Sequence, residues 1–326
     1  MRIAINGMGR IGRLLFRRLA VDTEIELVAV NDIMSCDNLV YLIKYDSVYG
    51  TYAGDLVMNG DSLAVENKKI IVLQHEDPAS LPWAAMNVDV VLECSGKFTS
   101  AVSAQKHITA GAKKVILSTT GSADVTLLIY GFNQSILTAG INIISPGGCM
   151  TNCCIPVLNI LSSVGIDSAQ LNILHSYTSR QELVDAPNKN FRRGRAAAES
   201  IIPVEIDLHQ SLERLMPELK NKIATVSTRV PVANGAMADF TIQLHNKISI
   251  EEINKLFKTA AQNDYKGVLD FSEEQLVSTD IKSNTHSCII DSGLTSMAGN
   301  QLKLIAWFDN EYGFTSRMID WLLYWK

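Results

Sequence analysis

Residues 5–19 read INGMGRIGRLLFRRL: an apolar run closes into Gly7-x-Gly9-x-x-Gly12, and the glycines open directly into a helical pattern. A glycine turn between strand and helix lets the backbone approach a pyrophosphate, and the helix N-terminus adds unpaired amides and a positive dipole. Alone, such a turn is a weak signal, because glycine-rich turns are common. Its surroundings strengthen it. Asp32 closes the next apolar run, twenty residues beyond Gly12, where an acid accepts hydrogen bonds from an adenosine ribose. The acid also predicts NAD, since the 2′-phosphate of NADP would meet a like charge.

Working outward, RIAIN (2–6), IELVAV (25–30), VDVVLEC (88–94), KKVILS (113–118) and NIIS (142–145) read as buried strands. They are continuous rather than alternating, as in a parallel sheet covered on both faces. GRLLFRRLA and SAVSAQKHITAGA read as helices between them. The alternation predicts an α/β domain of Rossmann type, a doubly wound parallel sheet, over residues 1–147. From there the texture changes. CIPVLNILSSVG reads as a helix, AQLNILHSYT as a strand, and 179–203 as a long polar loop. IATVSTRV, ADFTIQL, SCIID and LKLIAWF follow as strands, so residues 148–314 are expected to form an α+β catalytic domain with a mainly antiparallel sheet.

Hydrophobic residues make up 47% of the chain and charged residues 19%, a globular composition that excludes disorder. A net charge of −5 gives no electrostatic case for nucleic acid. The densest basic run, Arg192-Arg193-Gly194-Arg195, is too short for a duplex but suits a phosphate on a small molecule. No apolar stretch approaches the ~20 residues that span a bilayer, so no membrane partner is expected. MRIAINGMGR lacks a signal-peptide layout, and six cysteines without framework spacing imply free thiols. A cytoplasmic enzyme is the expectation.

Three of those cysteines fall in SPGGCMTNCC, residues 145–154. Cys149 and Cys153 have a zinc-like spacing, but no second ligand pair exists, so no metal is expected. Cys153 and Cys154 suit core filling. Cys149 sits at a strand–turn–helix junction after Pro146-Gly147-Gly148, where dipole and amides should give the thiol thiolate character. His175, ending LNILHS, is the nearest candidate base along the chain.

AINGMGRIGR, KYDSVYG, CMTNC, HSYTSRQ, RRGRAAAESIIP, TRVPVAN and FDNEYGF occur in the order found in glyceraldehyde-3-phosphate dehydrogenases. The chain resembles that family, and the related erythrose-4-phosphate dehydrogenases, over nearly its whole length. The resemblance implies Cys149 as nucleophile and His175 as base, with a thiohemiacetal and then a thioester released by inorganic phosphate in one branch and by water in the other. It implies Arg10 and Ile11 at the cofactor phosphates, Asp32 at the ribose, Ser118 on the nicotinamide side and Asn310 at the carboxamide. Thr178 and Arg229 would bind the substrate phosphate, and Arg195 a second anion. It also implies a homotetramer, and a C-terminal helix (315–326) that packs back on the first domain.

The chain departs from the family in the substrate region. Gly148 and Met150 stand where a serine and a threonine are usual, and Arg180 where an aspartate is usual. Ile206 and Asp207 replace a threonine–glycine pair. These changes keep two alternatives open: oxidation of erythrose 4-phosphate with release by water, and a weakly catalytic binding or regulatory homologue.

Overall fold

The apolar run Arg2–Asn6 becomes β1, with Ile3, Ala4 and Ile5 fully buried, and the chain turns through the glycines into α1 (Arg10–Leu19). The computed structural model describes all 326 residues and divides into two units. One comprises Met1–Leu128, Asn133–Gly148 and Met318–Lys326; the other comprises Ile129–Phe132 and Cys149–Arg317.

In the first unit the chain continues through β2 (Glu26–Asn31), α2 (Cys36–Lys44) and a small hairpin of β3 (Tyr45–Asp46) and β4 (Gly50–Thr51). There follow β5 (Leu56–Asn59), β6 (Ser62–Val65), β7 (Lys68–Leu73), β8 (Val90–Glu93), α3 (Ala101–Thr109), β9 (Lys114–Leu117), β10 (Thr126–Leu127) and β11 (Ile143–Ser145). Nine strands form one sheet in the order β10-β11-β9-β8-β1-β2-β7-β6-β5. Every pairing from β10 to β7 is parallel, as expected for the buried apolar runs. The antiparallel meander β5–β6–β7 extends the sheet beyond the strands expected from sequence.

Buried polar groups tie the central strand ends together. Glu93 accepts from the Asn6 amide, the Ser95 N–H and hydroxyl, and His107 Nε2 at 2.9 Å. The Trp83 indole donates to His107 Nδ1 at 3.0 Å, and Asn31 donates to Asn6 Oδ1 at 2.7 Å. The acceptor capacity of the Glu93 carboxylate is thus filled, as burial at 2% exposure requires.

The second unit begins with α4 (Cys149–Ser162) and holds β12 (Ile166–Ser176), β13 (Ile202–Val204), α5 (Leu208–Leu215) and β14 (Ile223–Val230). It continues with β15 (Ala236–Leu244), α6 (Ile250–Gln262), β16 (Leu269–Ser272), β17 (Cys288–Ala298), β18 (Gln301–Phe308) and the start of α7 (Tyr312–Tyr324). Its sheet runs β13-β14-β12-β15-β18-β17-β16 and is mainly antiparallel; only β12/β14 and β16/β17 are parallel. Burial alternates strictly along β15, the pattern of a sheet with one covered face. The expected loop over 179–203 contains a 3₁₀ turn at Phe191–Gly194 and joins the sheet at β13.

Candidate active site

The glycine turn is sterically committed. Gly7 has φ +95°, and a Cβ there would lie 2.3 Å from the Ser95 nitrogen. A Cβ on Gly12 would sit 2.0 Å from the Gly7 carbonyl oxygen, so only glycine lets α1 pack this close to the turn. Around Gly9 nothing lies within 4 Å of an added Cβ, which leaves open space at the start of α1. That space belongs to a cleft of about 260 Å³ lined by Asn6, Gly7, Gly9, Asp32, Met34 and Glu76. Asp32 accepts from the N–H groups of Met8 (2.6 Å) and Met34 (2.9 Å), holding the turn beneath the cleft.

The Arg10 guanidinium pairs with Asp46 at 2.7 Å, and Arg10 and Ile11 form the first turn of α1. Ser118 follows β9, donates its N–H to the Glu93 carbonyl at 2.9 Å, and reaches the Cys94 thiol with its hydroxyl. Bare glycines, an open helix N-terminus and an acid on the next strand end form a cradle that fits a dinucleotide.

In the second unit, Cys149 is the first residue of α4, and its Sγ lies 3.7 Å from His175 Nε2. His175 is 4% exposed, is the penultimate residue of β12 and meets the Phe308 ring edge-on. Its Nδ1 lies 2.7 Å from the Ser176 carbonyl. A carbonyl can only accept, so the ring hydrogen sits on Nδ1 and the Nε2 lone pair faces the thiol. The Ser176 hydroxyl donates to Asn310 Oδ1 (3.2 Å), which also accepts the Gly235 N–H (3.0 Å). Asn310 Nδ2 is therefore the end left to donate.

Electrostatics correct one expectation. The N–H groups of Cys149 and Met150 do favour the thiolate, and so does Arg229. Burial of the sulfur outweighs them and pushes the thiol up to about 11, while Glu311 adds a smaller push in the same direction. Burial, then Arg229, pulls the His175 imidazole down to about 3. The pair therefore rests as thiol and neutral imidazole, not as thiolate. Cys153 and Cys154 are fully buried in α4, and all six cysteines are free thiols.

Strand register places Arg229 beside His175 across the β12–β14 pair. Arg229 is 7% exposed, donates from Nη1 to the Ser176 carbonyl at 3.4 Å, and is lowered to about 10 chiefly by burial, so it stays charged at neutral pH. The Thr178 hydroxyl donates to Gln181 Oε1 at 3.0 Å and accepts the Arg180 N–H at 3.3 Å. Arg180 is exposed, yet its charge reaches Arg229 and Arg193.

Arg195 is not gathered into this group. Its side chain is 65% exposed and pairs with Asp185 at 3.0 Å; Arg193, named in sequence only as part of the basic run, is the residue of that run whose charge acts on Arg229. Gly148 has room for a side chain, with only Thr120 Oγ1 at 3.6 Å from an added Cβ. Met150 is half-buried in the first turn of α4. Ile206 and Asp207 lead into α5, with Asp207 exposed.

Two family models match the chain. The glyceraldehyde 3-phosphate dehydrogenase NAD binding domain covers residues 1–101, and the glyceraldehyde 3-phosphate dehydrogenase C-terminal domain covers residues 148–310. Glyceraldehyde-3-phosphate dehydrogenase 2 of Bacillus subtilis is 42% identical over 98% of this chain and 95% of that protein. The glyceraldehyde-3-phosphate dehydrogenases of Mycobacterium avium and Zymomonas mobilis are each 40% identical over 98% of this chain and 97% of those proteins.

Proposed function

The chain belongs to the glyceraldehyde-3-phosphate dehydrogenase family and is an NAD-dependent oxidoreductase, and on that premise we propose that it oxidises glyceraldehyde 3-phosphate through an intermediate covalently held on Cys149. The observation that supports this reading is the Cys149–His175 contact of 3.7 Å, with the imidazole hydrogen held on Nδ1.

Cys149 Sγ adds to the aldehyde carbon as His175 Nε2 takes the thiol proton, and that proton passes to the carbonyl oxygen to complete a thiohemiacetal. A base resting neutral suits this step, since the nucleophile forms only as the S–C bond does. NAD, when bound, supplies the hydride acceptor. His175 then accepts the thiohemiacetal hydroxyl proton as the carbon is oxidised, leaving a thioester on sulfur. The Cys149 N–H and His175 are the donors facing the developing oxyanion. Inorganic phosphate attacks the thioester carbon, the C–S bond breaks, and 1,3-bisphosphoglycerate leaves.

In this reading the first unit is the cofactor domain and the second the catalytic domain. Gly7, Gly9, Arg10, Ile11, Gly12, Asp32, Ser118 and Asn310 serve the cofactor. Thr178, Arg180 and Arg229 serve the substrate, while Gly148 and Met150 border the site of attack. Cytoplasmic location and a homotetramer belong to the same proposal, and sedimentation velocity tests the latter.

Ile206 and Asp207 favour a second reading, in which the segment leading into α5 offers no threonine hydroxyl to an attacking anion, and water releases an acyl group made from erythrose 4-phosphate. The test is the initial rate of NADH formation with each aldehyde, with and without inorganic phosphate. A phosphate requirement with the triose supports the first reading; phosphate-independent turnover that prefers the tetrose replaces it with the second.

A further inference from the structure

The last residues of three adjacent strands, Glu93 of β8, Asn6 of β1 and Asn31 of β2, are register partners, and their side chains form one hydrogen-bonded row. The polarity of the row is fixed from both ends. At one end the His75 N–H can only donate, so Asn31 Oδ1 faces it at 2.9 Å and Asn31 Nδ2 is turned to Asn6 Oδ1. Asn6 Nδ2 is then left for the Glu93 carboxylate. At the other end the Trp83 indole can only donate, so His107 Nδ1 accepts and the ring hydrogen sits on Nε2, which donates to Glu93 at 2.9 Å. Both halves converge on one carboxylate, and no member can turn over alone.

The row runs beneath the dinucleotide cleft and holds its walls. Asn6, Asn31, His75, Ser95 and Phe98 line that cleft, whereas Glu93, His107 and Trp83 do not. Ser95 brings both its N–H and its hydroxyl to Glu93 and accepts the Lys97 N–H at 3.1 Å, so the carboxylate sets the course of the segment after β8. That segment abuts the glycine turn, because an added Cβ on Gly7 would lie 2.3 Å from the Ser95 nitrogen. His107 also meets the Phe98 ring edge-on. Glu93 and His107 are both buried, so a donor withdrawn from the carboxylate is not replaced by bulk water. The remaining donors, Asn6 and Ser95, both belong to the cleft wall and are the groups that must shift to make up the loss.

We propose that Glu93 and His107 are positioning residues for NAD: through Asn6, Asn31 and Ser95 they hold the two sides of the cleft at the spacing the dinucleotide needs, so that cofactor affinity depends on a histidine outside the cleft lining. This rests on the reading of the cleft as the NAD site. It gives the buried row a part in binding as well as in stability.

The test is the Kd of NAD, measured by isothermal titration calorimetry on full-length wild type, His107→Leu, His107→Gln and Trp83→Phe. Leucine removes the donor to Glu93, and glutamine restores one. Trp83→Phe keeps the His107–Glu93 contact and removes only the N–H that selects the ring tautomer. Losing a hydrogen bond to a carboxylate should raise the Kd about tenfold or more in His107→Leu. His107→Gln should return to within about threefold of wild type, with Trp83→Phe between the two. In turnover the same variants should raise KM for NAD and leave kcat at saturating NAD nearly unchanged. A His107→Leu protein that unfolds at lower urea yet binds NAD as wild type does would make the row merely structural and overturn the proposal. A loss of kcat with an unchanged Kd would overturn it too. If His107→Leu failed to fold, Trp83→Phe would decide, an unchanged Kd again overturning the proposal. Wild type that bound no NAD would overturn the cofactor reading of the cleft as well, whereas wild-type binding that the variants leave unchanged overturns the proposal alone.

Discussion

With the Cys149 thiol pushed up to about 11 and the His175 ring pulled down to about 3, the proton of the pair lies on sulfur throughout the neutral range. The thiolate fraction, and with it alkylation of Cys149 by iodoacetamide, should rise about tenfold per pH unit from pH 7 towards pH 11. Peptide mass spectrometry of the cofactor-free protein measures this, and a plateau already reached at pH 7 would mean a resting ion pair instead. Arg229→Met removes a cation that lowers both groups, so both should titrate higher and alkylation at pH 8 should slow. Gly148 carries a separate prediction. An added Cβ meets only Thr120 Oγ1 at ordinary contact distance, so Gly148→Ser should fold normally. If inorganic phosphate is the acyl acceptor, the new hydroxyl should lower its KM by about tenfold, the worth of one hydrogen bond to a charged group. An unchanged phosphate KM would place the anion away from this residue.

The elements that sequence made legible are those with a local signature. The Gly7-x-Gly9-x-x-Gly12 turn announces β1 and α1 because its geometry admits no side chain at two of the three positions. Gly12→Ala should therefore destabilise the protein by roughly 1–3 kcal/mol or prevent folding, as overpacking against backbone does. Urea unfolding followed by circular dichroism reads this loss, and a change under about 0.5 kcal/mol would mean that α1 shifts freely. The meander β5–β6–β7 had a readable sign in Gly60-Asp61, the two-residue loop between the paired Asn59 and Ser62, where Gly60 takes φ +61°. The long-range features had none. Nothing along the chain says that the Arg193 charge acts on Arg229, or that Arg195 turns to Asp185, since these follow from how the 179–203 segment lies on the sheet edge. The resting charge of Cys149 was illegible for a similar reason: the helix N-terminus is local, but the burial that overrides it is tertiary.

Across the whole molecule, a net charge of −5 coexists with a concentrated cation group at Arg180, Arg193 and Arg229. An anionic substrate is repelled by the one and drawn by the other, and screening weakens exposed charge more than buried charge. Raising ionic strength from about 0.05 to 0.5 M should therefore lower kcat/KM for a phosphorylated aldehyde several-fold, mostly through KM, and leave glyceraldehyde nearly unaffected. Equal sensitivity of the two aldehydes would point to a general effect of salt on the protein. The course of the chain has a consequence in time. The first unit includes Met318–Lys326, in which Met318, Trp321 and Leu322 are wholly buried and the Trp325 carbonyl accepts from Lys114. A ribosome adding about 5–20 residues per second needs roughly ten to thirty seconds to make the second unit before those residues exist. The part of the protein that emerges first thus cannot be finished until after the second unit, and the nascent first unit must wait, with part of its core uncovered, until Met318–Lys326 have been made.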